Sequence, residues 1–130
     1  VGAWLGYFVG GMDGLLSVLI TMIIIDYVTG VMVAISQKKL SSEIGFKGIC
    51  KKILIMVFVG IANIIDINII ATGSMLRTAT IFFYISNEGI SVIENTALLG
   101  LPVPKKITNI LEQLHDTAEK EDETGDEGEK

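Results

Sequence analysis

The sequence predicts an all-α integral membrane protein with three transmembrane helices, a short amphipathic helix and an acidic tail. Two observations carry that expectation. Half of the 130 residues are hydrophobic, and they gather in three runs, 14–36, 53–72 and 78–101. Each run approaches or exceeds the roughly 20 residues needed to cross a bilayer core. The third run supplies the other observation, a polar stripe. On a helix turning about 100° per residue, Arg77, Thr80, Tyr84, Asn87, Glu88, Ser91, Glu94 and Asn95 fall within roughly 60° of one line. Ile81, Phe82, Ile85, Ile90, Val92 and Ile93 fill most of the remaining circumference. Each charge at membrane depth costs about 2.5–3.5 kcal/mol on insertion scales. A helix with this stripe must turn it toward other helices or toward water, so an oligomer is expected.

Residues 1–13 precede the first run and carry Trp4, Tyr7 and Phe8 among glycines. Aromatic rings at the edge of a span sit at headgroup depth, which predicts an interfacial segment. The first run does not resemble a secretory signal, because it is long, lacks a basic flank before it and is interrupted by Asp26. Asp13 is placed to cap the helix that follows. Within that helix Met22, Asp26, Thr29, Gly30, Val33 and Gln37 share a face, with Asp26 near mid-depth. Gly30 is expected to admit a close helix neighbour, as small residues do in membranes.

Lys38, Lys39, Lys47, Lys51 and Lys52 lie between the first two runs, opposed there only by Glu43. Basic loops stay in the cytoplasm, so 37–52 is assigned to the inside and the N-terminus to the outside. Residues 40–49 contain Ser41, Ser42, Gly45 and Gly48, which suits a short helix or turn at the membrane surface. The second helix repeats the pattern of the first, with Met56, Gly60, Asn63, Asp66 and Ile67 on one side. Gly60, like Gly30, is expected at a helix contact. The link 73–77 then lies outside, where Arg77 alone opposes the orientation.

Pro102 and Pro104 stop the third helix. Lys105 and Lys106 follow it and support an inside C-terminus. Ile107, Ile110, Leu111 and Leu114 recur at helical spacing, predicting an amphipathic cytoplasmic helix over 105–118. From Lys105 onward nine acidic residues face four lysines, and the composition of 119–130 predicts disorder.

The chemistry of an enzyme is missing. His115 is the single histidine and Cys50 the single cysteine; neither has a catalytic or metal-binding companion in sequence. No glycine-rich phosphate loop is present. No metal or other cofactor is expected, and no nucleic-acid partner, because the basic residues flank spans and form no patch. The residues expected to be intramembrane polar or pore-lining are Asp26, Asn63, Asp66, Tyr84, Asn87, Glu88, Ser91, Glu94 and Asn95.

Three stretches read together: IDYVTGVMVAI at Ile25–Ile35, LSSEIGFKGICKKI at Leu40–Ile53, and NEGISVIENTALLGLPVPKKI at Asn87–Ile107. In order and spacing they resemble the toxin-secretion/phage-lysis holin family, over about Leu15 to Leu114. The resemblance implies a small phage protein of the bacterial cytoplasmic membrane that accumulates harmlessly and then oligomerises at a set time. The resulting lesions release an endolysin, a functional link that needs no direct contact. Relatives in toxin-producing clostridia are linked to the release of large toxins. The residues alone leave two other classes open. Intramembrane carboxylates also serve a small proton- or ion-coupled transporter or channel, although no inverted repeat or broken helix pair supports one. A membrane scaffold using the 105–118 helix is the third.

Overall fold

The computed structural model describes residues 1–128, with side chains through Lys120. Five α-helices follow in order: α1 Gly2–Val9, α2 Gly14–Ser36, α3 Ser42–Ile65, α4 Met75–Leu98 and α5 Lys105–Gly128. No strand occurs among the described residues. A π-helical turn, Asp66–Ile70, extends α3 and closes with the Ala71 N–H donating to the Asp66 carbonyl at 2.7 Å.

Helix α2 begins where Asp13 predicts. Its carboxylate accepts the Leu16 N–H at 2.9 Å, satisfying one of the four unpaired amides of a helix start. Helix α3 departs from expectation. It starts at Ser42 and runs unbroken through the segment read as a surface loop. The Ser41 hydroxyl caps it through the Ile44 N–H at 3.2 Å, and Glu43 adds a favourable charge to its first turn. Gly45 and Gly48 do not break the helix because their bare faces receive the Tyr27 ring of α2, 3.5 Å from where each β-carbon would stand. The true link between α2 and α3 is therefore 37–41, and Lys47, Lys51 and Lys52 ride on α3.

The apolar core joins three helices. Leu16 and Leu19 of α2, Ile55 and Val59 of α3, and Ile81 and Ile85 of α4 are buried together. Helix α4 sits at the centre, packed against α2, α3 and α5. Its contact with α5 depends on Gly89, since a β-carbon there would lie 2.7 Å from a methyl of Leu111. Leu111 is the buried member of the 105–118 pattern, while Ile107 and Ile110 stay exposed.

The tail also departs from expectation. Helix α5 does not end at Ala118 but continues to Gly128; residues 129–130 lie outside the described residues. Glu119, Lys120, Glu121 and Glu123 are good helix formers that offset Gly125, and the His115 Nε2–Glu119 Oε1 contact at 3.0 Å bridges one turn across the expected boundary. Local helical propensity and spacing outweigh the low hydrophobicity on which the expectation of disorder rests.

Two helical segments are long and apolar enough to cross a membrane, Gly14–Ser36 and Ser42–Ile70. The second differs from the expected 53–72 because α3 absorbs the preceding lysines. Helix α4 matches α2 and α3 in length but is less apolar, carrying Arg77, Glu88 and Glu94. The outside of the bundle is greasy: Ile24, Val28, Met32, Leu54, Phe58 and Ile61 are exposed. Asp26, Asp66, Arg77 and Glu88 are buried inside it, while Lys47, Lys51 and Glu94 are exposed.

Candidate functional site

Two polar clusters lie inside this apolar bundle, one above the other along the helices. The first sits near the middle of α2. Asp26 of α2 and Glu88 of α4 are buried at 8% and 6% exposure. Between them stands Lys52 of α3, whose ammonium donates to Asp26 Oδ2 and Glu88 Oε2. Asn95, two turns along α4 from Glu88, donates to Asp26 Oδ1 at 3.1 Å and to the Thr29 hydroxyl at 3.0 Å. Three helices are thus pinned at one level by side chains, with one further bond from Asn95 to the Asp26 carbonyl at 3.4 Å. One ammonium faces two carboxylates, so the cluster is electrically neutral only when the acids share one proton.

A cleft of about 250 Å³ leads to this triad between α2 and the first half of α3. Val31, Ala34, Ile44 and the small residues Gly45 and Gly48 form its walls, and Asp26, Lys52, Ser91 and Asn95 form its inner end. The triad is therefore buried within the helices yet bordered by open space on one side.

The second cluster gathers where α1, the end of α3 and the start of α4 meet. Arg77, 4% exposed, reaches back to the N-terminal segment. Its Nε donates to the Val9 carbonyl at 2.6 Å, one terminal nitrogen to the Gly11 carbonyl at 3.0 Å, and the other to Asp13 Oδ2 at 2.8 Å. Asp66 caps α4 by accepting the Leu76 and Arg77 N–H groups at 3.1 and 2.7 Å. The Asn63 amide donates to the Tyr7 and Phe8 carbonyls, satisfying unpaired carbonyls at the end of α1. Gly10 and Gly11 adopt left-handed φ values of 88° and 87°. A β-carbon on Gly10 would stand 2.5 Å from Arg77 Nε, so this turn both needs glycine conformationally and needs its missing side chain. The Arg77 guanidinium, followed by the Leu16 N–H, holds the Asp13 carboxyl below the ordinary aspartate range.

The expected site residues therefore separate. Asp26, Glu88 and Asn95 come together, with Ser91 beside them on the cleft. Asn63 and Asp66 belong to the other cluster and do not meet the Glu88–Asn95 part of the stripe. Tyr84 packs against the apolar core, edge-on to Phe83 with ring centroids 5.1 Å apart. Asn87 is half-buried and Glu94 exposed; neither side chain has a hydrogen bond or ion pair within the chain among the described residues. Gly60 does admit a close neighbour, although it is the Phe8 ring of α1, 1.9 Å from the position of a β-carbon. Phe8 in turn stacks on exposed Trp4 at 5.5 Å. Gly30 differs from expectation: its nearest neighbour would be 3.8 Å from a β-carbon, an ordinary contact that demands no glycine within one chain.

Sequence reasoning missed three roles. Lys52 reads as one more basic flank, yet it is the counter-ion of the triad; the available signal was its placement beside an apolar run facing two intramembrane acids. Arg77 reads as an exception to the charge rule. Asp13, Asp66 and Arg77 all lie toward the outer side in the expected topology, and that coincidence pointed to the pairing. Gly89 had no signal, because its partner Leu111 lies across a proline-containing link. Lys38 and Lys39 occupy the α2–α3 link, Lys38 with φ 56°, while Lys105 and Lys106 open α5.

Residues 3–116 match the bacteriophage holin family. The chain belongs to that family. The match extends to the N-terminal segment, beyond the resemblance that begins near Leu15, in keeping with the anchoring of α1 by Asn63 and Arg77. An uncharacterized Listeria monocytogenes protein is 43% identical, over 94% of this chain and 86% of its own length. An uncharacterized 14.9 kDa protein of Clostridium perfringens is 41% identical, over 88% of this chain and 87% of its own. A protein of Bacillus phage phi105 named a probable holin is 36% identical, over 86% of this chain and 82% of its own. No solved structure matches the chain.

Proposed function

We propose that this holin-family protein permeabilises the bacterial cytoplasmic membrane, oligomerising on schedule into lesions through which an endolysin reaches the cell wall. The observation that carries the reading is the inverted distribution of polarity. Asp26, Lys52 and Glu88 are inside the bundle while Ile24, Val28, Leu54 and Phe58 cover its outside. Hydrocarbon favours that arrangement and water opposes it. The matched lengths of α2, α3 and α4 support three spans, with the Asp13–Arg77 cluster at the outer surface and Lys38 and Lys39 at the inner one. The N-terminus is then outside and the C-terminus inside.

Polar contacts between membrane helices are worth only about 0.6–2 kcal/mol each, so alternative partners compete closely. In this reading the single copy keeps its triad closed, and assembly exchanges some of those contacts for contacts with other copies or with water. Release of a large toxin would use the same lesion with a different cargo. The triad and its cleft also favour a second reading, a small proton-coupled transporter.

Expression in a bacterium with and without a cytoplasmic muralytic enzyme separates the two. Abrupt, scheduled lysis that requires the enzyme is expected. Accumulation in the membrane with no enzyme-dependent lysis would reject the holin reading and leave proton coupling to be measured.

A further inference from the structure

The triad uses only one edge of the polar stripe on α4. Glu88 and Asn95 are engaged, whereas Asn87 and Glu94, two turns apart on the other edge, have no partner within the chain among the described residues. Helix α3 presents the complement. Lys47 and Lys51 lie one turn apart on a shared face, both exposed, and neither forms an ion pair within the chain among the described residues.

The depths of these residues agree. Asp26, Lys52 and Glu88 converge on one point and so define a common level. From that level Glu94 lies about 9 Å toward the α2–α3 link, and Lys47 about 7.5 Å in the same direction, at 1.5 Å of rise per residue. By the same rise Asn87 and Lys51 both lie within about 1.5 Å of the triad level. Copies in one membrane are related by rotation about the membrane normal, which leaves depth unchanged. A carboxylate and an ammonium at equal depth that do not meet within one chain can therefore meet between neighbouring copies.

We propose that the Asn87–Glu94 face of α4 docks on the Lys47–Lys51 face of α3 in a second copy of this chain. Glu94 pairs with Lys47, and the Asn87 side-chain oxygen accepts from the Lys51 ammonium. The proposal rests on the reading of α2, α3 and α4 as membrane spans. Charge complementarity selects the partner: each face alone leaves charge or amide at membrane depth, and together they satisfy it. The same contact can repeat from copy to copy, since each chain carries both halves. Glu43, one turn before Lys47, stands at the helix start within reach of water and does not compete at this depth.

The test uses full-length chains with Cys50→Ser, carrying different tags and co-expressed in bacterial membranes. One copy carries Lys47→Cys and the other Glu94→Cys. Oxidation should give a mixed disulfide dimer, at least about tenfold more abundant than the dimers of Glu94→Cys with itself. Equal cross-linking of every combination, or none in membranes containing both proteins, would overturn the proposal. Failure to cross-link would assign the two lysines to phosphates of the inner leaflet. In a second arm, Glu94→Lys should abolish the large oligomers seen by native electrophoresis, and adding Lys47→Glu should restore them. If the doubly exchanged chain inserts and remains monomeric, the pairing is wrong. Lysis is scored separately. Specific cross-linking without enzyme-dependent lysis would reject the proposed function and keep the interface, whereas lysis without specific cross-linking would do the reverse.

Discussion

The outer cluster and the central triad each contain one cation and two carboxylates, but only in the triad does the cation meet both. In the outer cluster most partners are backbone. Arg77 donates to the Val9 and Gly11 carbonyls, and Asp66 accepts two amides at the start of α4. Such groups cannot leave without unwinding a helix end or moving a turn. In the triad the bonds at Lys52 are all between side chains of three helices, and rotamer changes suffice to open it. The outer cluster is therefore suited to hold the shape of one copy, and the triad to be exchanged. Arg77 and Asp66 are as buried as Asp26 and Glu88; the difference lies in what the charges bind.

Replacement of Lys52 should have the largest effect. Lys52→Met leaves Asp26 and Glu88 facing each other without a cation, a loss of about 3–5 kcal/mol for breaking a buried pair. Thermal unfolding in detergent should show it, and Lys52→Arg should recover part of the loss. Unchanged stability in Lys52→Met would mean that the triad is open in solution. Asp26→Asn added to Lys52→Met should reduce the damage, because one of the two opposed charges is gone.

Arg77→Gln should cost about 2–3 kcal/mol, for hydrogen bonds to a charged group that are lost or weakened. The characteristic result is local: protease should cut near residues 9–12 while α2 to α4 stay intact. Arg77→Lys should restore little, since a single ammonium cannot span the three acceptors. Protection of the N-terminal segment in Arg77→Gln would show that Asn63 and Phe8 suffice to hold α1.

The two glycines read alike in sequence should separate. Gly60→Ala drives a methyl into the Phe8 ring and should destabilise by about 1–3 kcal/mol, as overpacking does. Gly30→Ala meets only an ordinary contact and should change stability by less than about 0.5 kcal/mol. Phe8→Ala should suppress the Gly60→Ala defect in a double-mutant cycle. A defect in Gly30→Ala confined to oligomer formation would place that glycine between copies.

Asp13 should show a small effect, with its pH dependence confined to acid. Its carboxyl is held below the ordinary range in the folded chain. A depressed value contributes stability that is present above the unfolded value, near about 4, and is lost as pH falls through the folded value. Stability should not respond to Asp13 between about pH 5 and 8. Because its side chain is 48% exposed, Asp13→Asn should cost less than about 1 kcal/mol at neutral pH. A large neutral-pH loss would make Asp13 an anchor equal to Arg77.

The amino-acid sequence determines the helices and their apolar character, because those follow from the near neighbours of each residue along the chain. The Asp13 cap, the proline stop after α4 and the amphipathic spacing of α5 are all local. Pairing is not local. That Lys52 would leave the basic flank to serve Asp26 and Glu88 depended on α3 beginning at Ser42, ten residues before it. That Phe8 would fill the space at Gly60, and Leu111 the space at Gly89, depended on segments returning across turns and prolines. A period of 3.6 residues says which side chains share a face, and only the packing of helices says what that face meets.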